Sequence, residues 1–250
     1  MATKDSAFHK RGEKLMPVCA ACAALHNSCM PSQKPNNDLP TVLLTGFDAF
    51  GGDAINPSWL VAQALDGETI EGHRVAAAQL PTEFAASCQL LAALLRQHQP
   101  ALVLCLGLAG GRAGLSLERI AINVQDARIA DNAAAQPIDV PIVQRGPAAY
   151  FSTLPIKAML QALTASGIAA EVSQTAGTFV CNHVFYALMH ALKKQRGAVK
   201  ARGGFAHVPY LPGGGLPCMP LDEMVRGVRV AVACALTTDS DSLLGAGALN

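Results

Sequence analysis

Ala101-Leu102-Val103-Leu104-Cys105-Leu106 is a run of six small or aliphatic residues with no polar side chain among them. A strand covered on one face alternates apolar with polar residues. A run without alternation suits a strand buried on both faces, as at the centre of a parallel sheet between helices. Upstream, Phe84, Cys88, Leu91, Leu94 and Leu95 recur at the three-to-four-residue spacing of one helix face. Val75 to Leu80 reads as a strand before that helix. Asn56-Pro57-Ser58 opens another helix with apolar residues at Leu60, Val61, Ala64 and Leu65, proline being well tolerated at a helix start. Thr41 to Thr45 is a β-branched and aliphatic strand ending at Gly46. Downstream, after a long polar segment, predicted helices at Pro155 to Ala165, Val180 to Leu192 and Leu221 to Leu236 alternate with strands at Ala170 to Ser173 and Gly203 to Val208. This alternation predicts a three-layer α/β/α sandwich on a mixed, mostly parallel central sheet, an architecture shared by phosphorylases and hydrolases. No linker divides residues 41–250, which are expected to form one domain.

The 250 residues are 51% hydrophobic and 15% charged, enough apolar material for a real core and the opposite of a disordered composition. Nineteen Lys and Arg against eighteen Asp and Glu leave a formal charge of +1, which supplies no long-range field for nucleic acid or an acidic membrane. No apolar run approaches the roughly 20 residues needed to span a bilayer. Neither nucleic acid nor membrane is therefore an expected partner. Of eight cysteines, Cys88, Cys105 and Cys234 read as small buried hydrophobes, and reduced thiols point to the cytoplasm.

Residues 1–40 differ in texture. Lys4, Lys10, Arg11 and Lys14 precede a short apolar patch from Leu15 to Leu25, and Met30 to Asp38 has the composition of a loop. A basic start before an apolar patch mimics an export signal, but Pro17 interrupts the patch and no small-residue cleavage site ends it. Cys19, Cys22, His26 and Cys29 are ligand types suited to zinc, at spacings tighter than a zinc knuckle uses. The expectation is a disordered extension without chemistry, and no metal or other cofactor.

In folds of this kind ligands meet the loops at the carboxyl ends of the strands. Neither Gly46 to Gly52 nor Gly107 to Gly111 has a phosphate-binding spacing. Cys181, in Gly177-Thr178-Phe179-Val180-Cys181-Asn182-His183, falls in the first turn of a predicted helix. Free N–H groups and the partial positive charge there favour a thiolate. Three histidines are candidate bases. His183 is two residues on and off the Cys181 face, His190 lies deeper on the same helix and reads as surface or interface, and His207 ends a strand where loops converge. Glu118 sits among apolar neighbours, an odd setting for a surface acid. It either orients the imidazole or pairs with Arg119 or Arg128.

Residues 41–212 resemble the pyroglutamyl peptidase I family of cysteine peptidases. The resemblance is carried by Leu44-Thr45-Gly46-Phe47-Asp48-Ala49-Phe50-Gly51-Gly52 with Asn56-Pro57-Ser58, by Ala109-Gly110-Gly111-Arg112, and by Glu118-Arg119-Ile120-Ala121-Ile122-Asn123. It continues through Asp126 to Asn132, Gly146 to Phe151, Ala176 to His183 and Gly203 to Pro212. It implies hydrolysis of the bond after an N-terminal pyroglutamyl residue of peptides, with Cys181 as nucleophile, His207 as base and then acid, and Glu118 as its orienter. It further implies oxyanion support from Arg128, substrate contacts from Phe47, Phe50 and Asn56, and a homotetramer. Ala49 and Ala130 stand where the family has proline, Leu108 where many relatives have glutamine, and Gly213-Gly214-Gly215 where the continuation is more polar. These departures bear on affinity, including a looser turn beside Phe50, more than on reaction type. Two rivals are a phosphate-using transferase, which would be indifferent to thiol alkylation, and a binding protein that kept the pocket without turnover.

Overall fold

The computed structural model describes residues 39–195 and 200–247. The strands are β1 (Thr41–Phe47), β2 (Thr69–Ile70), β3 (His73–Leu80), β4 (Leu102–Leu108) and β5 (Leu115–Glu118). Then come β6 (Ile120–Ile122), β7 (Ala149–Phe151), β8 (Ala170–Ser173) and β9 (Arg202–Val208). The helices are α1 (Pro57–Ala64), α2 (Phe84–His98), α3 (Ile156–Ala165), α4 (Val180–Lys194) and α5 (Leu221–Thr237). The main sheet runs β2-β3-β1-β4-β9-β5-β8, and β6 pairs with β7 in a separate ribbon. Strands β3, β1, β4 and β9 are mutually parallel, while β2 and β5 run against their neighbours β3 and β9.

Strand pleating explains the unalternating run at β4. Leu102, Leu104 and Leu106 join a core with Val42, Leu44 and residues of α1, α3 and α5. Val103 and Cys105 join a second core with Leu43, Leu91 of α2 and Val184, Phe185 and Leu188 of α4. Successive side chains point to opposite faces, so a strand with a helical layer on each side needs apolar residues at every position. The sheet between two helical layers is the expected sandwich.

Two sequence expectations need correcting. The polar segment after β4 contains β5, whose four residues are all buried, together with the short β6 and β7. Cys105 is buried as expected, but Cys88 and Cys234 are only half-buried, each packed against one of the two cores. The Cys19, Cys22, His26 and Cys29 cluster and nearly all of the extension lie outside the described residues.

The long connection between β6 and β7 is held by side chains acting as backbone partners. Asp131, 6% exposed, accepts from Phe84 N (2.8 Å), Ala133 N (2.9 Å) and Ala135 N (2.8 Å). The first of these satisfies an N–H at the start of α2, whose N-cap residue Glu83 makes no side-chain cap of its own. Asp131→Ala leaves the buried Phe84 N–H, and the part-buried N–H groups of Ala133 and Ala135, without their acceptor. It is expected to lower stability by about 2–4 kcal/mol, read as a lower urea midpoint at unchanged slope.

Candidate active site

Cys181 is the second residue of α4, and Phe179 caps the helix without a side-chain hydrogen bond. What fixes this helix start is Asn182, fully buried, whose Oδ1 accepts from Ile122 N (3.0 Å) while Nδ2 donates to Ile122 O (2.9 Å) and Val124 O (3.0 Å). An amide can both donate and accept in this way, so Asn182 serves as a two-sided clamp between α4 and the chain leaving β6. The Cys181 sulfur lies over β4 at Gly107, where a Cβ would come within 2.9 Å of Sγ. Any larger residue there would push the thiol aside. Gly107 is the register partner of His207 on β9, so the thiol and the imidazole are placed from neighbouring strand positions. Among the described residues, no hydrogen bond joins Cys181 to His207.

His207 and Glu118 do meet. His207 Nδ1 donates to Glu118 Oε1 at 2.7 Å, with the imidazole 4% exposed and the carboxylate not exposed at all. The antiparallel β5–β9 pairing sets this contact. Ser116 is opposite His207, which makes Glu118, two residues on, a diagonal neighbour on the same face within reach of a long side chain. The same Oε1 also accepts from Arg112 Nη1 at 2.7 Å, and Arg112 Nη2 reaches Thr175 O at 3.3 Å. Glu118 Oε2 is buried without a hydrogen-bond partner among the described residues. The carboxylate is therefore paired, but with Arg112 and not with Arg119 or Arg128. Arg119 Nε instead donates to Gln174 Oε1 at 2.8 Å.

The electrostatics of the thiol run against the sequence expectation. Its own backbone N–H and Arg112 draw the Cys181 pKa down, but burial, reinforced by the negative charge of Glu118, pushes it up to about 12. Loss of water around a thiolate outweighs the helix terminus here. The unliganded site thus favours the Cys181 thiol, and any reaction through this sulfur would need a proton acceptor. The other two histidines are occupied elsewhere. His183 packs edge-on against Phe84 (centroids 5.5 Å apart), and burial takes its pKa down to about 4. His190 is half-buried rather than at the surface, bonded through Nδ1 to Tyr150 Oη at 2.8 Å.

Cys181 opens on a cavity of about 340 Å³ whose walls include Phe47, Phe50, Asn56, Leu108, Phe179 and Tyr210. Phe50 stacks at a tilt on Phe179 (5.2 Å), and Phe47 backs on Phe205 (6.4 Å). Asn56 is largely spent on structure. Its Oδ1 accepts from Ser58 N and Oγ at 3.1 and 2.8 Å, and Nδ2 donates to Asp48 O at 2.9 Å, leaving one N–H for the cavity. The turn beside Phe50 is braced rather than loose, since Asn132 Nδ2 donates to Ala49 O at 2.9 Å. Arg128 is exposed and lines a neighbouring concavity with Asp126, Ile129 and Thr178. That concavity shares only Phe179 with the thiol's cavity. Among the described residues no cluster of three His, Cys, Asp or Glu is arranged to hold a metal.

Sequence reasoning gave no role to Arg112, Asn182, Phe179 or Tyr210. The available signals were an aromatic immediately before the Cys181 helix and a lone cation closing a glycine-rich turn. Arg112→Met removes the positive charge that offsets Glu118. Site-resolved mass spectrometry should then find iodoacetamide alkylation of Cys181 at pH 8 slowed by about tenfold, one pKa unit being worth about 1.4 kcal/mol. Arg112→Lys should recover most of the rate.

The family model described as pyroglutamyl peptidase matches residues 40–238. A pyrrolidone-carboxylate peptidase of Cupriavidus taiwanensis is 56% identical over 208 residues, which are 81% of this chain and 96% of that protein. One from Bacillus cereus is 50% identical, again over 81% of this chain and 96% of its own. Among solved structures, pyroglutamyl peptidase I of Bacillus amyloliquefaciens matches with a TM-score of 0.80 at 41% identity, covering 83% of this chain and all of that one. The pyrrolidone carboxyl peptidase of Thermococcus litoralis matches with a TM-score of 0.76 at 36% identity, over 79% of this chain and 94% of that one.

Proposed function

The chain belongs to the pyroglutamyl peptidase family, cysteine peptidases that remove an N-terminal pyroglutamyl residue, and from that premise we propose that Cys181, His207 and Glu118 carry the reaction. The observation that supports these roles best is the 2.7 Å contact between His207 Nδ1 and a fully buried Glu118, next to a cysteine on the first turn of α4. With Nδ1–H committed to the carboxylate, Nε2 is the free basic nitrogen. It takes the Cys181 proton as Sγ attacks the scissile carbonyl, then returns it to the leaving amine. The resulting thioester is hydrolysed by water, with His207 again as base, releasing pyroglutamate and restoring the thiol. Glu118 fixes the imidazole tautomer and stabilises the imidazolium formed on the way.

A pyroglutamyl ring is neutral and flat, and the aromatic walls from Phe47, Phe50 and Phe179 suit it. A charged amino terminus enclosed by those rings would lose its hydration. The oxyanion is assigned to first-turn N–H groups of α4. Support from Arg128 requires its exposed side chain to swing past Phe179 when substrate binds, and the single remaining N–H of Asn56 is proposed to meet the substrate. A homotetramer in the cytoplasm completes the reading. None of the five described cysteines is joined in a disulfide, which is compatible with a reducing compartment. The exposed side chains of Ile138 (70%) and Phe151 (66%) are surface that self-association would cover.

The decisive measurement is turnover of a pyroglutamyl-arylamide. Wild type should cleave it, Cys181→Ser should lose at least about 10³-fold in kcat, and Glu118→Gln about 10²-fold or more. Equal turnover by wild type and Cys181→Ser would refute the assignment.

A further inference from the structure

We propose that a second cavity, contiguous with the Cys181 cavity, binds the residue that follows pyroglutamate, and that it prefers a basic side chain there. This rests on the peptidase reading above. The second cavity, of about 350 Å³, shares Asp53, Ile55, Leu108 and Tyr210 with the first and continues along Leu211, Pro212, Gly213 and Gly214.

Direction comes from the chemistry. The leaving nitrogen must face the group that protonates it, so the departing chain lies toward His207 and the segment that follows it. That segment is the one that walls the second cavity, since Leu211 to Gly214 come directly after β9 and Tyr210. The neighbouring concavity around Arg128 shares a single residue with the thiol's cavity, whereas this one shares four.

The wall between the two spaces is built to be firm. The Tyr210 ring occupies room that two glycines leave open. A Cβ on Gly110 would come within 2.5 Å of the ring, and one on Gly215 within 2.6 Å. The Tyr210 backbone is tied down as well, its carbonyl accepting from Met219 N at 2.9 Å. The Gly213-Gly214-Gly215 departure thus has a use, since its third glycine gives the tyrosine its place.

Selectivity follows from what the shared rim offers. Asp53 is exposed, and among the described residues its carboxylate makes no hydrogen bond or ion pair. Its backbone is anchored, with N donating to Phe50 O at 3.2 Å. A carboxylate and the face of an aromatic ring both attract a cation, and Ile55, Leu108 and Leu211 give its methylene stem an apolar bed. An acidic side chain in the same place meets repulsion from Asp53.

The test compares kcat/KM for pyroglutamyl-X-glycine peptides with X as Lys, Arg, Ala or Glu, at low and high salt. An exposed ion pair gives a few-fold and the matching repulsion about as much again, so Lys or Arg should exceed Glu by about tenfold at low salt, with Ala between. The spread should shrink at high salt. Asp53→Asn should cut the Lys-to-Glu ratio to about threefold or less, and Asp53→Lys should invert it. A wild-type ratio within twofold of unity, or one unmoved in Asp53→Lys, overturns this inference while leaving the peptidase reading intact. Failure of wild type to cleave any pyroglutamyl substrate overturns both.

Discussion

Glu118 is an acidic side chain with no exposure to solvent, and much of the molecule is arranged around that constraint. Taking a carboxylate out of solvent costs several kcal/mol unless close donors return it. Here two donors converge on one oxygen, Arg112 from the loop after β4 and His207 from the end of β9. The three groups come from three stretches of chain, so the native registers of β4, β9 and the reversed strand β5 have to form together. Removing either donor leaves the buried acid under-compensated. The site and the sheet are for this reason parts of one cooperative structure.

The division of labour around the sulfur follows from the same constraint. Arg112 cancels part of the field that Glu118 exerts on Cys181, and in the proposed mechanism His207 uses the rest of it. Were the acid wholly neutralised, the imidazolium would lose its stabilising partner. Were it not neutralised at all, the sulfur would be held still more firmly as a thiol. Sharing Oε1 between a guanidinium and an imidazole sits between those limits. Asn182 and Gly107 contribute by geometry alone, one pinning the helix start and the other leaving space for Sγ.

Most of the layers are legible in the sequence, because β1, β3, β4 and β9 are short apolar runs and the five helices carry a hydrophobic period. Strand β5 is not. Leu115-Ser116-Leu117-Glu118 is short, and its alternation resembles a half-exposed strand or a polar loop, although all four residues are buried. Two of its polar contacts are to partners 55 and 89 residues away, Glu171 for Ser116 and His207 for Glu118, which no local window contains. Cys181 could be placed at a helix start from its neighbours in sequence. The direction of its pKa could not, since a helix terminus is local while burial is a sum over the folded surroundings. Arg112 escaped notice for a related reason, because a cation in a glycine-rich turn has no periodic signature and the fold alone supplies its target.

The raised thiol pKa also bears on durability. Peroxide attacks the anionic form of sulfur, so in the role proposed for Cys181 a sulfur held as S–H would be less open to sulfenic and higher oxidation between turnovers. In the proposed mechanism its reactivity is drawn out only in the company of a carbonyl to attack and an imidazole to receive the hydrogen. A protein built this way keeps its working sulfur in reserve between turnovers.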